Sequence, residues 1–291
     1  MALSIAAEPI GQIGNLPVTN SMINAWIAVL LFVGLGWYFR KHYRAAGTPG
    51  RFQTAIESMM EFILGYMDQV TNDREKSKRF IPLVGSLFLF ILVANWMGIL
   101  PGVGTIGIWQ LHHGEAVLVP LFRPANGDLN MTLAMALLSV VTSHIVGIAA
   151  VGFFVHWNRF LAFGTVVKGF RKGGINIMVG LVEAVVGVIE FVGEVAKVVS
   201  LSLRLFGNIF AGEVLITVMY SLVAYLVPLP FIGLELIVGV IQATVFAMLT
   251  LVYLTILSEK PHGDDEDHGH EHELGEDAQG SLHQAEPAPG F

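Results

Sequence analysis

The segment 183–213, EAVVGVIEFVGEVAKVVSLSLRLFGNIFAGE, limits what this chain can become more than any other stretch. Most of it is apolar enough to lie in a bilayer. Yet it carries Glu183, Glu190, Glu194, Lys197, Arg204 and Glu213. A charge at the bilayer centre costs at least ~3 kcal/mol on insertion scales. Six such groups in one apolar segment are too many to be kept for stability. Glu183, Glu190, Lys197 and Arg204 recur every seven residues. On a helix of ~3.6 residues per turn, that step returns to one face with a drift of roughly 20°. The four therefore predict a slowly winding polar stripe. Asn208 continues it one turn past Arg204, and Glu213 falls about half a turn away. Internal ion pairs in a helix bundle are one reading. A path for an ion is the other, and it is the default for intramembrane ionisable groups.

Composition supports a membrane setting. Of 291 residues, 54% are hydrophobic and 13% charged, and the mean hydropathy is +0.66. Those values exclude an ordinary soluble core and predict an all-α polytopic membrane protein. The absence of cysteine excludes disulfides and thiol chemistry. The formal charge of −7 belongs to the end of the chain: residues 259–291 alone carry −9. That acidic, His-containing stretch predicts a disordered cytoplasmic tail. It could hold a metal ion loosely, but a solvated tail is the simpler account. No P-loop motif is present, so any nucleotide chemistry belongs to partners. No cofactor, resident metal or nucleic-acid partner is expected.

The spans follow from hydropathy and from where lysine and arginine fall. Residues 1–21 hold no basic side chain and predict an external N-terminus, without the positive region of a signal peptide. The first span is about 22–39, followed by Arg40, Lys41, Arg44 and Arg51. Residues 52–70 place Phe52, Ile56, Met59, Met60, Ile63, Leu64 and Met67 at helical spacing. They predict an amphipathic helix on the cytoplasmic surface or against partner helices. A basic loop at 71–79 precedes the second span, 80–101, where Asn95 predicts a helix–helix hydrogen bond. The loop 102–130 holds one basic residue, Arg123, and is expected outside. It also carries Asp128 and His112, His113 and Glu115, which are a weak metal signal. The third span, 131–155, contains His144, read as a packing residue or as a proton relay. Two long tilted helices, about 175–224 and 231–258, follow. A ValProLeuPro turn separates them, and Glu235 and Gln242 stand seven apart on the second. Thirteen of sixteen basic residues fall in the segments assigned to the cytoplasm, and only Arg123 falls outside. That bias orients the chain with its N-terminus outside and its C-terminus in the cytoplasm.

The run SLSLRLFGNIFAGE, with IQATVFAMLTLVYL downstream, resembles subunit a of the membrane sector of F-type ATP synthases. NWMGILPG and GDLNMTLAMAL fit the same pattern, and the resemblance extends over residues 20–260. It implies one spanning helix, an amphipathic surface helix, a membrane hairpin and two long tilted helices beside a ring of c subunits. It further implies two offset half-channels carrying protons to and from the ring's carboxylates. By the resemblance, Arg204 is the essential arginine, and Asn208 and Gln242 are its polar companions. Glu213 is the outer-channel carboxylate, and Glu190 lies on the inner path. Glu235 stands where some relatives have histidine, so two carboxylates share the outer side. Glu183, Glu194, Lys197, Asp128 and His144 complete the candidate translocation residues. The implied partners are the c-subunit ring, the b-subunit peripheral stalk, the remaining ATP synthase subunits and membrane lipid of the bacterial plasma membrane. The transported ion is H⁺, with Na⁺ left open.

The chemistry stands without the resemblance. A rotor carboxylate between two half-channels is a buried anion and needs a partner. An arginine stays protonated, so it can attract that anion without leaking its own proton. Two other functions are weighed: a self-contained secondary transporter with Arg204 binding an anionic substrate, and a purely structural membrane subunit. The absence of an internal repeat opposes the first. The ionisable stripe opposes the second.

Overall fold

Apolar helices dominate the structure, a computed structural model that describes residues 7–43, 50–100, 103, 106–112, 115–161, 175–222 and 226–259. The acidic tail beyond residue 259 lies outside the described residues. So do the basic positions Arg44, Lys168, Arg171, Lys172 and Lys260. The stretch before α1 forms a short hairpin, β1 (Pro9–Ile13) and β2 (Leu16–Thr19). Its turn places Gly14 at a φ of 63°, which glycine adopts at no steric cost. Thr19 then caps α1 (Asn20–His42), its hydroxyl accepting from the Met22 amide. Arg40, Lys41 and His42 in the last turn complement the helix dipole.

α2 (Arg51–Thr71) and α3 (Arg74–Met97) meet at a tight elbow rather than across the basic loop expected at 71–79. Asn72 takes the left-handed conformation and closes α2 through its amide to the Asp68 carbonyl. Asp73 caps α3 by accepting from the amides of Glu75 and Lys76. Two cap signals placed back to back leave no room for a loop. Arg74 then binds Glu61 at 2.6 Å and Asp68 at 2.6 Å, and Thr71 shares a hydrogen bond with Ser77. The Ser77 hydroxyl and the Arg74 guanidinium hold the Asp68 carboxyl below its ordinary value.

The Gly- and Pro-containing segment after α3 is also more ordered than a plain loop. β3 (Gly107–His112) pairs antiparallel with β4 (Glu115–Pro120). A 3₁₀ turn at Ala125–Gly127 follows and leads to Asp128, which caps α4 (Leu129–Val151). The third apolar segment does not run through to residue 155 as one helix. Gly152 has a φ of 97°, which ends α4 and redirects the chain into α5 (Phe153–Leu161).

α6 (Ile175–Leu222) is one continuous helix of 48 residues. At 1.5 Å per residue it is roughly 72 Å long, against a hydrocarbon core of ~30 Å. It therefore crosses at a steep tilt or extends beyond the core. α7 (Pro228–Ser258) returns beside it. Among the described residues, four helices, α1, α3, α4 and α7, are long and apolar enough to cross a membrane.

The bundle is formed by α3, α4, α6 and α7. Leu87 and Ile91 of α3 meet Met135, Ala136 and Val140 of α4, Leu201 and Leu205 of α6, and Ala243 and Phe246 of α7. A second cluster joins α2 to α3 and α7 through Ile63, Met67, Phe80, Val84, Leu251 and Leu254. Lipid is as apolar as leucine, so polar contacts assist this packing, at roughly 0.6 kcal/mol apiece. Ser139 bonds Thr250 across α4 and α7 at 2.8 Å, and Thr132 bonds Ser202 across α4 and α6 at 3.2 Å. Asn95 donates to the Gly239 carbonyl, the interhelical role its position predicts. α1 is buried only near its start, at Asn20, Ser21, Asn24, Ala25 and Ala28.

Candidate ion-translocation site

The faces of α6 position the candidate residues. Leu201, Ser202, Leu205, Ile209 and Gly212 are buried against the bundle. The opposite face exposes Ala196, Ser200, Leu203, Arg204, Gly207, Asn208 and Ala211. Arg204 therefore projects away from the bundle from a surface of mostly small side chains. Among the described residues it has no ion-pair partner. Asn208, one turn on, donates to Gln242 Oε1 of α7 at 2.6 Å. Gln242 is itself buried, and its Nε2 has no hydrogen-bond partner among the described residues. An unsatisfied buried donor is costly, so this amide is poised for a group arriving from outside the chain.

One polar cluster lies about ten residues N-terminal of Arg204, roughly 15 Å along the helix. Lys197 Nζ donates to Glu194 Oε1 at 2.5 Å and sits 4.9 Å over the ring of Tyr253 on α7. The other oxygen of Glu194 lies 3.5 Å from His144 Nε2. His144 Nδ1 in turn is 3.0 Å from Nε2 of His156, which α5 turns back onto α4. His156 carried no signal in the sequence, because its partner is reached only through the bend at Gly152. Glu190 is half-buried on the same helix, and the side chain of Glu183 lies outside the described residues.

A second cluster lies C-terminal of Arg204. Glu213 forms an ion pair with Arg123, whose NH2 donates to Oε2 at 3.1 Å and Nε at 3.2 Å. Arg123 is only 6% exposed. In the sequence it reads as a lone basic residue of an outer loop; the fold instead tucks that loop into the bundle. Asn24 of α1 donates to its carbonyl, Asn126 donates to Asn95 at 2.6 Å, and Pro124 packs on Gly98. Gly127 lets the loop pass close to Glu213, since a side chain there would meet Oε2 at 3.3 Å. Asp128 serves this loop: Oδ1 accepts from the Asn130 amide and Oδ2 from Ser21 Oγ at 2.8 Å. Its carboxylate is thus engaged in holding α1 and capping α4. Glu235 comes from α7 and rests against the backbone of Gly212, where any Cβ would collide with its carboxylate. Among the described residues Glu235 forms no ion pair.

No group of three His, Asp or Glu side chains among the described residues could hold a metal ion. His113 and the side chains of His112 and Glu115 lie outside what is described.

The helices and the ionisable groups they carry define an all-α polytopic membrane protein with polar clusters on either side of one outward-facing arginine. The sequence profile of the family described as ATP synthase A chain matches residues 22–255, and the chain belongs to that family. It is 32% identical over 253 residues to ATP synthase subunit a of Mycobacterium ulcerans (strain Agy99), covering 86% of this chain and 89% of that one. The subunit a of Gloeobacter violaceus (strain ATCC 29082 / PCC 7421) is 31% identical over 259 residues, with 86% and 90% covered. That of Moorella thermoacetica (strain ATCC 39073 / JCM 9320) is 28% identical over 243 residues, with 84% and 92% covered.

Proposed function

We propose that this chain is the stator ion-path subunit of an ATP synthase, passing protons to and from the carboxylates of a rotating c-subunit ring. The observation that carries the reading is Arg204, a permanent cation on an exposed helix face with no ion-pair partner among the described residues. The small neighbours Gly207 and Ala211 let a second helix approach closely. Its ionised carboxylate would meet Arg204, with Gln242 Nε2 available as a further donor. Arginine holds that anion without surrendering its proton, so charge can pass only by rotation.

The clusters on the two sides of Arg204 act as offset half-channels. Glu213, Glu235 and Arg123 belong to the outer one, and Glu190, Glu194, Lys197 and His144 to the inner one. Each proton descending 100 mV supplies ~2.3 kcal/mol, and the ring gathers several per nucleotide. Nucleotide chemistry resides on other subunits. The charge asymmetry supports an N-terminus outside and a C-terminus in the cytoplasm, and the membrane is read as a bacterial plasma membrane. The b-subunit stalk is a further partner. H⁺ is the transported ion; the choice against Na⁺ rests with the ligands on the ring.

The test is Arg204→Ala in membrane vesicles. ATP synthesis driven by a proton gradient falls to background while the complex stays assembled, and Arg204→Lys fails or leaks. Normal synthesis in Arg204→Ala would refute the assignment.

A further inference from the structure

We propose that His156 and His144 form the proton-conducting end of the inner half-channel, linked to the rotor side through Glu194. The inference rests on the stator reading above and assigns a relay within it.

The geometry is a continuous chain of proton-bearing atoms across three helices. Glu194 Oε2 on α6 lies 3.5 Å from His144 Nε2 on α4, and His144 Nδ1 lies 3.0 Å from His156 Nε2 on α5. Both ring nitrogens of His144 are thus engaged, each by a different element. An imidazole so placed takes a proton on one nitrogen and releases one from the other. In the synthesis direction the protonated Glu194 gives its proton to His144 Nε2. His144 gives up the proton on Nδ1 to His156 Nε2, and His156 releases one from its own Nδ1 to water of the cytoplasmic side. Each step breaks one N–H or O–H bond and forms one. The reverse sequence loads the rotor during ATP-driven pumping.

Packing alone does not account for the pair. His156 is 4% exposed, and a buried polar ring costs more than a valine or leucine of similar size. Two glycines make its placement possible. Gly152, at a φ of 97°, turns α5 back onto α4. At Gly147 an added Cβ would meet the His156 ring at 3.0 Å. Position along the helix agrees: His144 is roughly 22 Å from the start of α4, toward the end assigned to the cytoplasm. The ionisable groups facing the pair are Glu194 and Lys197 from α6, with Tyr253 of α7 under Lys197.

The experiment is ATP-driven proton pumping by the whole complex in everted membrane vesicles, whose cytoplasmic face is outward, with rates normalised to assembled complex. His156→Gln and His144→Gln each lower pumping several-fold. The deficit widens as the external pH rises from about 6 to about 8, because protons in the medium become scarcer and uptake depends more on a shuttle at the mouth. Free imidazole added outside restores pumping in His156→Gln, an effect that a packing role would not produce. His144→Gln is an independent break in the same chain should His156→Gln assemble poorly. Full pumping in the double variant across that range overturns the relay, as does a deficit that neither pH nor imidazole alters. Arg204→Ala separates the two levels: if it is inactive while the double histidine variant pumps normally, the relay falls and the stator function stands. If Arg204→Ala pumps normally, the stator function itself falls.

Discussion

A guanidinium and a carboxylate that are both withdrawn from water compensate each other only while both are present. Arg123 and Glu213 are such a pair, with side chains 7% and 17% exposed. Arg123→Gln or Glu213→Gln alone leaves an uncompensated charge and should destabilise the complex by about 3–5 kcal/mol. The double variant Arg123→Gln/Glu213→Gln should recover much of that loss. Thermal denaturation of the purified complex checks this, and strictly additive losses would rule out the coupling. The same neighbourhood makes Gly212 a requirement for Glu235, because an added methyl would occupy the space of its carboxylate. Gly212→Ala should slow ATP synthesis strongly. Shortening the neighbour in Gly212→Ala/Glu235→Asp should restore part of the rate; no gain in the double variant would mean that the contact is incidental.

Between neighbouring helices, the elbow joining α2 to α3 is secured by ionisable groups in addition to the apolar contact of Ile63, Met67, Phe80 and Val84. Asp68 is held below its ordinary value by Ser77 and Arg74, so the folded elbow binds its proton less readily than the unfolded one. The stabilisation is therefore complete above the ordinary carboxylate value of about 4 and is lost as pH falls through the lower folded value. Asp68→Asn should speed hydrogen exchange at the amides of residues 68–77 at neutral pH. Acidification should do the same to the unaltered protein. Equal exchange in Asp68→Asn and the unaltered protein at neutral pH would show that the elbow stands without the carboxylate. α6 illustrates the opposite case. Its inward face, Leu201, Leu205 and Ile209, is apolar and its outward face carries Arg204, so packing on one side fixes where the charge projects.

For the whole molecule, orientation rests on the distribution of lysine and arginine, and it can be tested at exposed positions. Asn15 in the β1–β2 turn and Glu75 at the start of α3 are both exposed. A cysteine at Asn15 should react with a membrane-impermeant thiol reagent only from outside, and one at Glu75 only from the cytoplasm. The native chain has no cysteine to interfere. Reversed labelling would invert the assignment and exchange the two proposed half-channels. The same inversion would move the His144–His156 pair to the outer side, so the labelling result also bears on the relay.

The sequence alone determined the all-α membrane class, because apolar runs of spanning length have few other solutions. It also marked Arg204, Asn208, Glu213 and Gln242, because polar groups in apolar helices stand out by their cost. The tertiary structure decided which of these groups meet. Asn208 and Gln242 lie on different helices, and the packing of α6 on α7 joins them. Arg123 reads as an exposed loop residue until Asn24, Asn95 and Asn126 draw its loop inward onto Glu213. His156 reads as part of a loop until Gly152 turns it toward His144. Hydropathy and period report a residue's own environment along one helix. Pairings across helices depend on bends, caps and close approaches at glycine, which act through space and leave no spacing in the chain.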